Sequence, residues 1–519
     1  MGLIPYKNEE YLDWSDEGNV ERMRAAIKDV EGKLGKDHPA IIGGKRIETD
    51  GEIVSVNPAN PSQVVGRTAA ATKQEADMAL EAATGAFEHW SRTSPEARAR
   101  VLLRAAAIMK RRKFELLAWE VFEGGKPWNE ADAQVAEGID FLEYYAREMM
   151  RLKDGVEIYA IPGEESRYFY QPMGVGVVIA PWNFPTAILT GMSSAAIVTG
   201  NTVVMKPSEF TSVIGAVVAE IFEEAGLPDG VLNFLPGYGS DVGDYLVEDA
   251  RTRFISFTGS MATGLRINER AARQIENQRW VKRVIAEMGG KDAMVIDDSA
   301  DLDSAAADIV KSAYGYSGQK CSAASRAILH EDVYDEVLGK VVEKAKMLKI
   351  GLPAEEDGAT VNVGPVISEP QFEKVSSYVD AGKKEGDRLL GEDPGDPQNG
   401  YFVSPTIFAV EPGATVAREE IFGPVLSVLK AHDFDDALKL ANDSPYGLTG
   451  GVYSKNRDHL ERARHEFKAG NVYFNRGITG ALVGVQPFGG FGMSGTDSKA
   501  GGPDYLPLHM LARTVVERF

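Results

Sequence analysis

The 519 residues predict an α/β protein built on doubly wound parallel sheets. Two observations carry that prediction. From residue 174 on, short apolar runs without alternation recur at 174–180, 202–205, 231–235, 254–257 and 281–286, and segments of helical periodicity such as 213–222 lie between them. A strand that is apolar at every position is buried on both faces, and a parallel sheet covered by helices is the layout that buries it. A second α/β series runs from about 290 to 475, with strands near 293–296, 325–329 and 471–474.

The earlier part reads as helical. Val20, Met23, Ile27, Val30 and Leu34 form one apolar stripe, and Leu80, Ala83, Phe87 and Trp90 form another. A third helix is expected over 95–122, stopping at Gly124-Gly125, and a fourth over 131–153 through Val135, Ile139 and Leu142. Turn signals at Asp154-Gly155 and Pro162-Gly163 surround strand-like runs at 156–161 and 168–170, which reads as a β-hairpin. The tail, 510–519, is strand-like through Leu511, Val515 and Val516, and no partner is obvious in the sequence, so a strand of another subunit is one candidate.

Composition narrows the function. There are 56 Lys and Arg against 77 Asp and Glu, a net charge of −21, which repels phosphate backbones and disfavours nucleic acid as a partner. No apolar run approaches the ~18 residues that suggest a membrane span. The N-terminus lacks the succession of a secretory signal, and Met1-Gly2 is followed by Tyr6 where a myristoylation motif wants Ser or Thr. A single Cys excludes an intramolecular disulfide and fits a reducing, cytoplasmic setting. No HExxH or CxxC spacing points to a metal, and no Gly-x-Ser-x-Gly elbow points to a serine hydrolase.

Several constellations remain. Cys321 lies in Gly-Gln-Lys-Cys-Ser; an isolated Cys is commonly a small buried hydrophobe, but Gly318, Lys320 and Ser322 are not core neighbours, and an adjacent cation can lower a thiol pKa. Glu287 follows the run 281–286, and the carboxyl end of an open-sheet strand is where ligands bind; Gly289-Gly290 beside it permits close approach. Asn183 in Pro-Trp-Asn-Phe-Pro is an amide fixed between two prolines, suited to an oxyanion hole or simply to a rigid turn. The nearest match to a dinucleotide fingerprint is Gly237-Tyr-Gly-Ser-Asp-Val-Gly243, one residue too long. Phe257-Thr258-Gly259-Ser260 ends a strand and opens a helix, as a pyrophosphate site does, and Lys206-Pro-Ser208-Glu209 ends another with groups suited to ribose hydroxyls. Each tetrapeptide alone is equally a helix cap. Glu419-Glu420-Ile-Phe422-Gly-Pro and the Gly-rich 487–495 complete the set.

In this order, the seven motifs resemble the aldehyde dehydrogenase superfamily, from about residue 50 to the C-terminus. Met288 stands where many members have Leu, a volume-conserving exchange. The resemblance implies two doubly wound α/β domains plus a β oligomerisation arm: an NAD-binding domain over 1–154 and 172–288, a catalytic domain over 289–476, and an arm from 155–171 and 496–519. It makes Cys321 the nucleophile, Glu287 the base that activates the hydrolytic water, and Asn183 with the Cys321 backbone N–H the oxyanion hole. It assigns NAD contacts to Ala180, Pro181, Trp182, Lys206, Ser208, Glu209, Gly239, Gly243, Phe257, Thr258, Gly259, Ser260, Met288, Gly289, Glu420 and Phe422. A homodimer or higher homo-oligomer is implied as well.

Within the family, 318–326, 475–490 and Gly501-Gly-Pro-Asp-Tyr505 look like the branch that oxidises L-glutamate γ-semialdehyde. That likeness implies an α-carboxylate anchor at Ser322, Gly480 and Ala481, with Phe184 and Phe488 flanking the aliphatic chain and Glu137 as a candidate on the α-ammonium side. Small residues suit a backbone cradle. The competing readings are a dehydrogenase of another semialdehyde or an aliphatic aldehyde, and a coenzyme A-acylating enzyme, which would not need Glu287.

Overall fold

The computed structural model describes residues 4–355 and 358–519; Met1 and Gly2 lie outside them. The apolar stripes become buried helix faces. Helix Glu17–Glu31 buries Met23, Ile27 and Val30 and is capped by the Asp16 side chain, and Lys73–Trp90 starts on a Thr72/Glu75 capping box. The expected third helix is two, Pro95–Arg111 and Lys113–Gly124. At Arg112 the backbone leaves helical angles (φ −92°, ψ 13°), and the redirected Lys113 reaches Asp132 at 2.8 Å and the Glu10 carbonyl at 3.0 Å. A buried ammonium needs such partners. The second piece ends on Gly125 at φ 63°, and Trp128–Leu152 follows.

The N-terminal part is not purely helical. Lys36–His38, Glu52–Asn57 and Asn60–Ala69 form a three-stranded sheet of their own, and Ala40–Ile42 and Lys45–Ile47 join the first large sheet at its edge. The burial of Glu52–Asn57 alternates, as a half-covered strand requires. The first seven-stranded sheet runs Arg283–Glu287, Thr252–Thr258, Val175–Ile179, Thr202–Lys206, Leu232–Phe234, then the two antiparallel edge strands. The second runs Gly386–Leu390, Thr406–Val410, Val425–Ala431, Ala324–His330, Asp292–Ile296, Thr449–Tyr453, Asn471–Phe474, parallel but for its first pair.

The hairpin does not form. Residues 156–161 contribute only an isolated bridge, Val156 to Tyr168. Strand Glu164–Pro172 pairs instead, antiparallel, with Met510–Arg518, from Met510↔Pro172 to Arg518↔Glu164. The tail strand therefore finds its partner within its own chain. Residues 496–509, expected in the arm, lie against the first sheet: Thr496 N–H donates to the Ala286 carbonyl and buried His509 meets Ser256 Oγ at 3.0 Å. Among the described residues no helix is long and apolar enough to cross a membrane.

Candidate active site

In the first sheet the chain steps from Val175–Ile179 to Thr202–Lys206 and Leu232–Phe234 in one direction, then returns to place Thr252–Thr258 on the other side of Val175–Ile179. That reversal opens a crevice outside the carboxyl ends of the two central strands, the place where open α/β sheets take ligands. Ala180-Pro181-Trp182-Asn183 leaves one of those ends and Gly259-Ser260 the other.

The turn that carries Cys321 lies between helix Leu302–Tyr314 and strand Ala324–His330. The helix stops at Tyr314 because Tyr316 (φ 50°), Ser317 (φ 54°) and Gly318 (φ 67°) enter the left-handed region. For non-glycine residues that costs roughly 1–2 kcal/mol each. The turn is held by Tyr316 OH donating to the Gly124 carbonyl (2.9 Å), Ser317 Oγ to the Gly364 carbonyl (2.7 Å), and Gln319 Oε1 accepting from Ile367 N–H (2.9 Å). A Cβ at Gly318 would meet the Gly423 carbonyl oxygen at 2.3 Å, so only glycine fits there. Asn183, buried, donates Nδ2 to the Gln319 carbonyl at 3.1 Å, which sets its amide beside the Cys321 turn.

Cys321 is half-buried. The expectation that Lys320 lowers its pKa fails. Lys320 Nζ is paired with Glu130 at 2.6 Å, and the thiol is pushed well above its ordinary range by enclosure first, then by the charges of Asp292, Glu287, Glu420 and Glu137. Without ligands, this thiol is protonated near neutral pH.

Glu287 is the last residue of its strand and is buried. Its Oε1 accepts from Ser498 Oγ and from Ser498 N–H (3.3 Å), while Oε2 has no partner. Burial raises its pKa to about 8, against the pull of Ser498.

Residues expected at a cofactor converge around the crevice. Glu420 Oε1 accepts from Gly290 N–H at 3.1 Å, and a Cβ at Gly289 would stand 2.1 Å from the same oxygen. The missing side chain at 289 is what seats Glu420. Trp182 and Phe422 meet edge to face, ring centroids 5.3 Å apart, with Phe422 at φ 60°. Lys206 ends its strand buried, its Nζ donating to the Pro207 carbonyl (3.1 Å); burial lowers its pKa and Glu209 opposes that. Ser208 caps the short turn Glu209–Thr211, and Ser260 caps helix Met261–Ala272. Gly239 and Gly243 bound a single helical turn, and a Cβ on either would meet nothing within 4 Å. Thr258 Oγ1 lies 3.5 Å from Met192 Sδ. The side chains of Phe257 and Met288 are buried in a small core beneath helix Met261–Ala272, where a Cβ at Gly264 would meet Met288 Sδ at 2.5 Å, which leaves their backbones for a ligand. Ala180 is buried and its N–H donates to the Lys206 carbonyl (3.1 Å).

Of the residues expected at the substrate, Phe184 and Glu137 are half-buried, Ser322 is buried, and Glu137 has a pKa raised to about 7 by burial, then by Asp140. Phe488 is tied by a two-way backbone bridge to Ala500 (2.9 and 2.7 Å). Gly480 is exposed at φ 76° with open space where a Cβ would stand, and Ala481 is half-buried. A side chain at 480 therefore acts through backbone strain rather than by filling the cradle.

Sequence reasoning missed three groups. Lys126 and Glu120 are both fully enclosed, 3.7 Å apart, and Lys126 donates to the Asn183 carbonyl. Asp292, with a pKa raised by burial to about 8, accepts from Thr449 N–H (3.0 Å) and leaves Oδ2 unpartnered beside Gly290. Ser498 holds Glu287 Oε1 through its hydroxyl and its N–H. The charged side chain of Gly124-Gly-Lys126-Pro127 after a buried helix was the one local signal, since a charge packed there needs a partner.

The comparisons with known proteins agree with this geometry. The aldehyde dehydrogenase family model matches residues 46–515. A Geobacillus thermodenitrificans protein named 1-pyrroline-5-carboxylate dehydrogenase is 59% identical over 516 residues, 99% of each chain. A Bacillus cereus protein of the same name is 56% identical over 516 residues, again 99% of each. The crystal structure of a Thermus 1-pyrroline-5-carboxylate dehydrogenase with bound NAD superposes with a TM-score of 0.98 at 53% identity, covering 100% of both chains. The chain belongs to the aldehyde dehydrogenase family.

Proposed function

We propose that the chain oxidises L-glutamate γ-semialdehyde, the open form of 1-pyrroline-5-carboxylate, to L-glutamate with NAD, the second step of proline catabolism. The observation that carries this reading is the junction of Asn183 and Gln319, which fixes an amide donor next to the only thiol of the chain.

The crevice fits a dinucleotide: Gly239 and Gly243 leave backbone open to a phosphate, Gly289 leaves room for Glu420, and Trp182 with Phe422 forms an aromatic wall. Lys206 and Glu209 would hold the adenosine ribose, the backbone from Phe257 to Ser260 the pyrophosphate, and Glu420 the nicotinamide ribose. NAD, when bound, takes two electrons and a proton from the aldehyde carbon. The chain does the rest. Cys321 gives its thiol proton to solvent as Sγ adds to that carbon, the carbonyl π pair moves to oxygen, and Asn183 Nδ2 with the Cys321 N–H faces the thiohemiacetal oxygen as charge develops there, where one donor is worth roughly 3 kcal/mol. The acyl group remains on Sγ as a thioester. Glu287 takes a proton from water, the water oxygen bonds the acyl carbon, and the C–S bond breaks to free the acid.

Ser322 and the Gly480–Ala481 backbone would bind the α-carboxylate, with Phe184 and Phe488 along the chain between. The exposed apolar residues Val156, Ile158, Tyr159, Ile161, Val515, Val516 and Phe519 on and beside the two-stranded arm support a role for it in joining copies of this chain, in a cytoplasmic homo-oligomer. The test is NADH production with glutamate γ-semialdehyde beside succinic semialdehyde, acetaldehyde and hexanal. The expected result is a kcat/KM at least ten times higher for glutamate γ-semialdehyde; equal values would return the substrate to an unspecified aldehyde.

A further inference from the structure

Residues 6–12 cross helix Trp128–Leu152 and reach the loop after Ile478. Tyr6 OH donates to the Val483 carbonyl at 3.1 Å, and Asn8 Nδ2 lies 3.0 Å from the same oxygen and 2.8 Å from Asp140 Oδ2. Glu9 N–H donates to Asp140 Oδ1 (2.7 Å) and Leu12 N–H to Asp132 Oδ2 (2.6 Å), so the segment is strapped to the helix by its own backbone. The Tyr6 and Tyr144 rings pack edge to face at 5.3 Å, and each comes within 3.0 Å of where a Cβ at Gly484 would stand. On its other side Gly484 N–H donates to the Gly501 carbonyl (2.8 Å). The loop 480–484 is thus clamped from two sides. Asp140, which anchors the strap, lies one helical turn from Glu137. The strap also precedes residue 46, where the match to the family model begins, so it lies outside the frame shared by the whole family.

We infer that Tyr6 and Asn8 are positioning residues for substrate selectivity: they fix the Val483 carbonyl, and with it the Gly480–Ala481 backbone, at the height that meets an α-carboxylate, while Asp140 ties the same strap to the helix turn of Glu137. The inference rests on the substrate reading above. A carbonyl held by two donors cannot drift without breaking both, so loosening it moves the anchor and leaves the thiol, Asn183 and Glu287 in place.

The test uses Tyr6→Phe, Asn8→Ala and the double variant, with glutamate γ-semialdehyde and hexanal as substrates and L-glutamate as a competitive probe of the same anchor. In the double variant the KM for glutamate γ-semialdehyde and the inhibition constant of L-glutamate should rise about tenfold, the loss of one to two hydrogen bonds. Its kcat should change less than about twofold, and kcat/KM for hexanal and KM for NAD should hold. Tyr6→Phe keeps the ring and should show about a threefold rise by itself, which decides the matter if the double variant does not fold. Unchanged KM, or equal losses on both aldehydes, would overturn the role of the strap. A wild-type enzyme with no preference for glutamate γ-semialdehyde would overturn the substrate reading instead, and the strap with it.

Discussion

Lys126 Nζ donates to the main-chain carbonyl of Asn183 at 2.5 Å while lying 4.5 Å from the centre of the Phe184 ring and 4.3 Å from that of Tyr316. One buried ammonium therefore joins the turn that carries the oxyanion donor to the turn that carries the thiol. Burial lowers its pKa to about 8 and Glu120 acts to keep the charge. In Lys126→Met, Asn183 loses its fixed carbonyl and Glu120 loses its counter-charge. Breaking a buried pair in this way costs about 3–5 kcal/mol. Lys126→Met should show a fall in kcat of about tenfold or more with KM for NAD unchanged, and a lower melting temperature that a second change, Glu120→Gln, partly restores. Steady-state kinetics and thermal melts check both.

Cys321→Ala should abolish NADH production while calorimetry still detects NAD binding. In the wild type, the enclosure and carboxylates around Cys321 keep its thiol protonated at neutral pH. Alkylation by iodoacetamide in the absence of ligands should therefore speed up about tenfold per pH unit from 7 to 9, with no plateau in that range. A plateau near neutrality would mean that Lys320 activates the thiol after all.

The proposed role of Glu287 as base has a pH signature of its own. With its pKa raised to about 8 by burial, the Glu287 carboxyl is mostly protonated at pH 7 and gains the ability to take a proton as pH rises through 8. Thioester hydrolysis, followed by single-turnover kinetics, should climb between pH 7 and 8 and level off above 9. Glu287→Gln should give a burst of NADH followed by a stall.

Gly289→Ala tests the seat of Glu420. A Cβ there would stand 2.1 Å from Glu420 Oε1, so the carboxylate must swing away and give up its bond to Gly290 N–H. KM for NAD should rise about tenfold, the loss of one charge-assisted hydrogen bond, while the melting temperature changes little.

The strands at Val175–Ile179 and Thr202–Lys206 were legible in the sequence because burial on both faces leaves an unbroken apolar run. Strand Thr449–Tyr453 was not. Its Gly450 and Gly451 interrupt the apolar run, because their missing side chains admit the Phe467 ring and the Ile478 side chain, 2.2 and 2.7 Å from where a Cβ would stand. The hairpin failed for a related reason: the run 168–170 was paired with its sequence neighbour, whereas its ladder partner lies more than 300 residues away. Cys321, Glu287 and Asn183 each sat in a local motif, so the sequence exposed them. Ser498 and Lys126 act on Glu287 and Asn183 only across the fold, and no spacing rule reports that.

The contact between Glu287 and Ser498 spans 211 residues, and that between Ser256 and His509 spans 253. The long ladder of Met510–Arg518 on Glu164–Pro172 closes later still in the order of synthesis. At roughly 5–20 residues per second on the ribosome, the Glu287 carboxyl is made roughly 10–40 s before the hydroxyl that holds it. From the moment residue 367 is made, and before Ser498 emerges, the Cys321 turn has its supports at Gly124, Gly364 and Ile367. The acylating half of the site is thus assembled early in the life of the chain, and its hydrolytic half is completed by nearly the last segment to emerge.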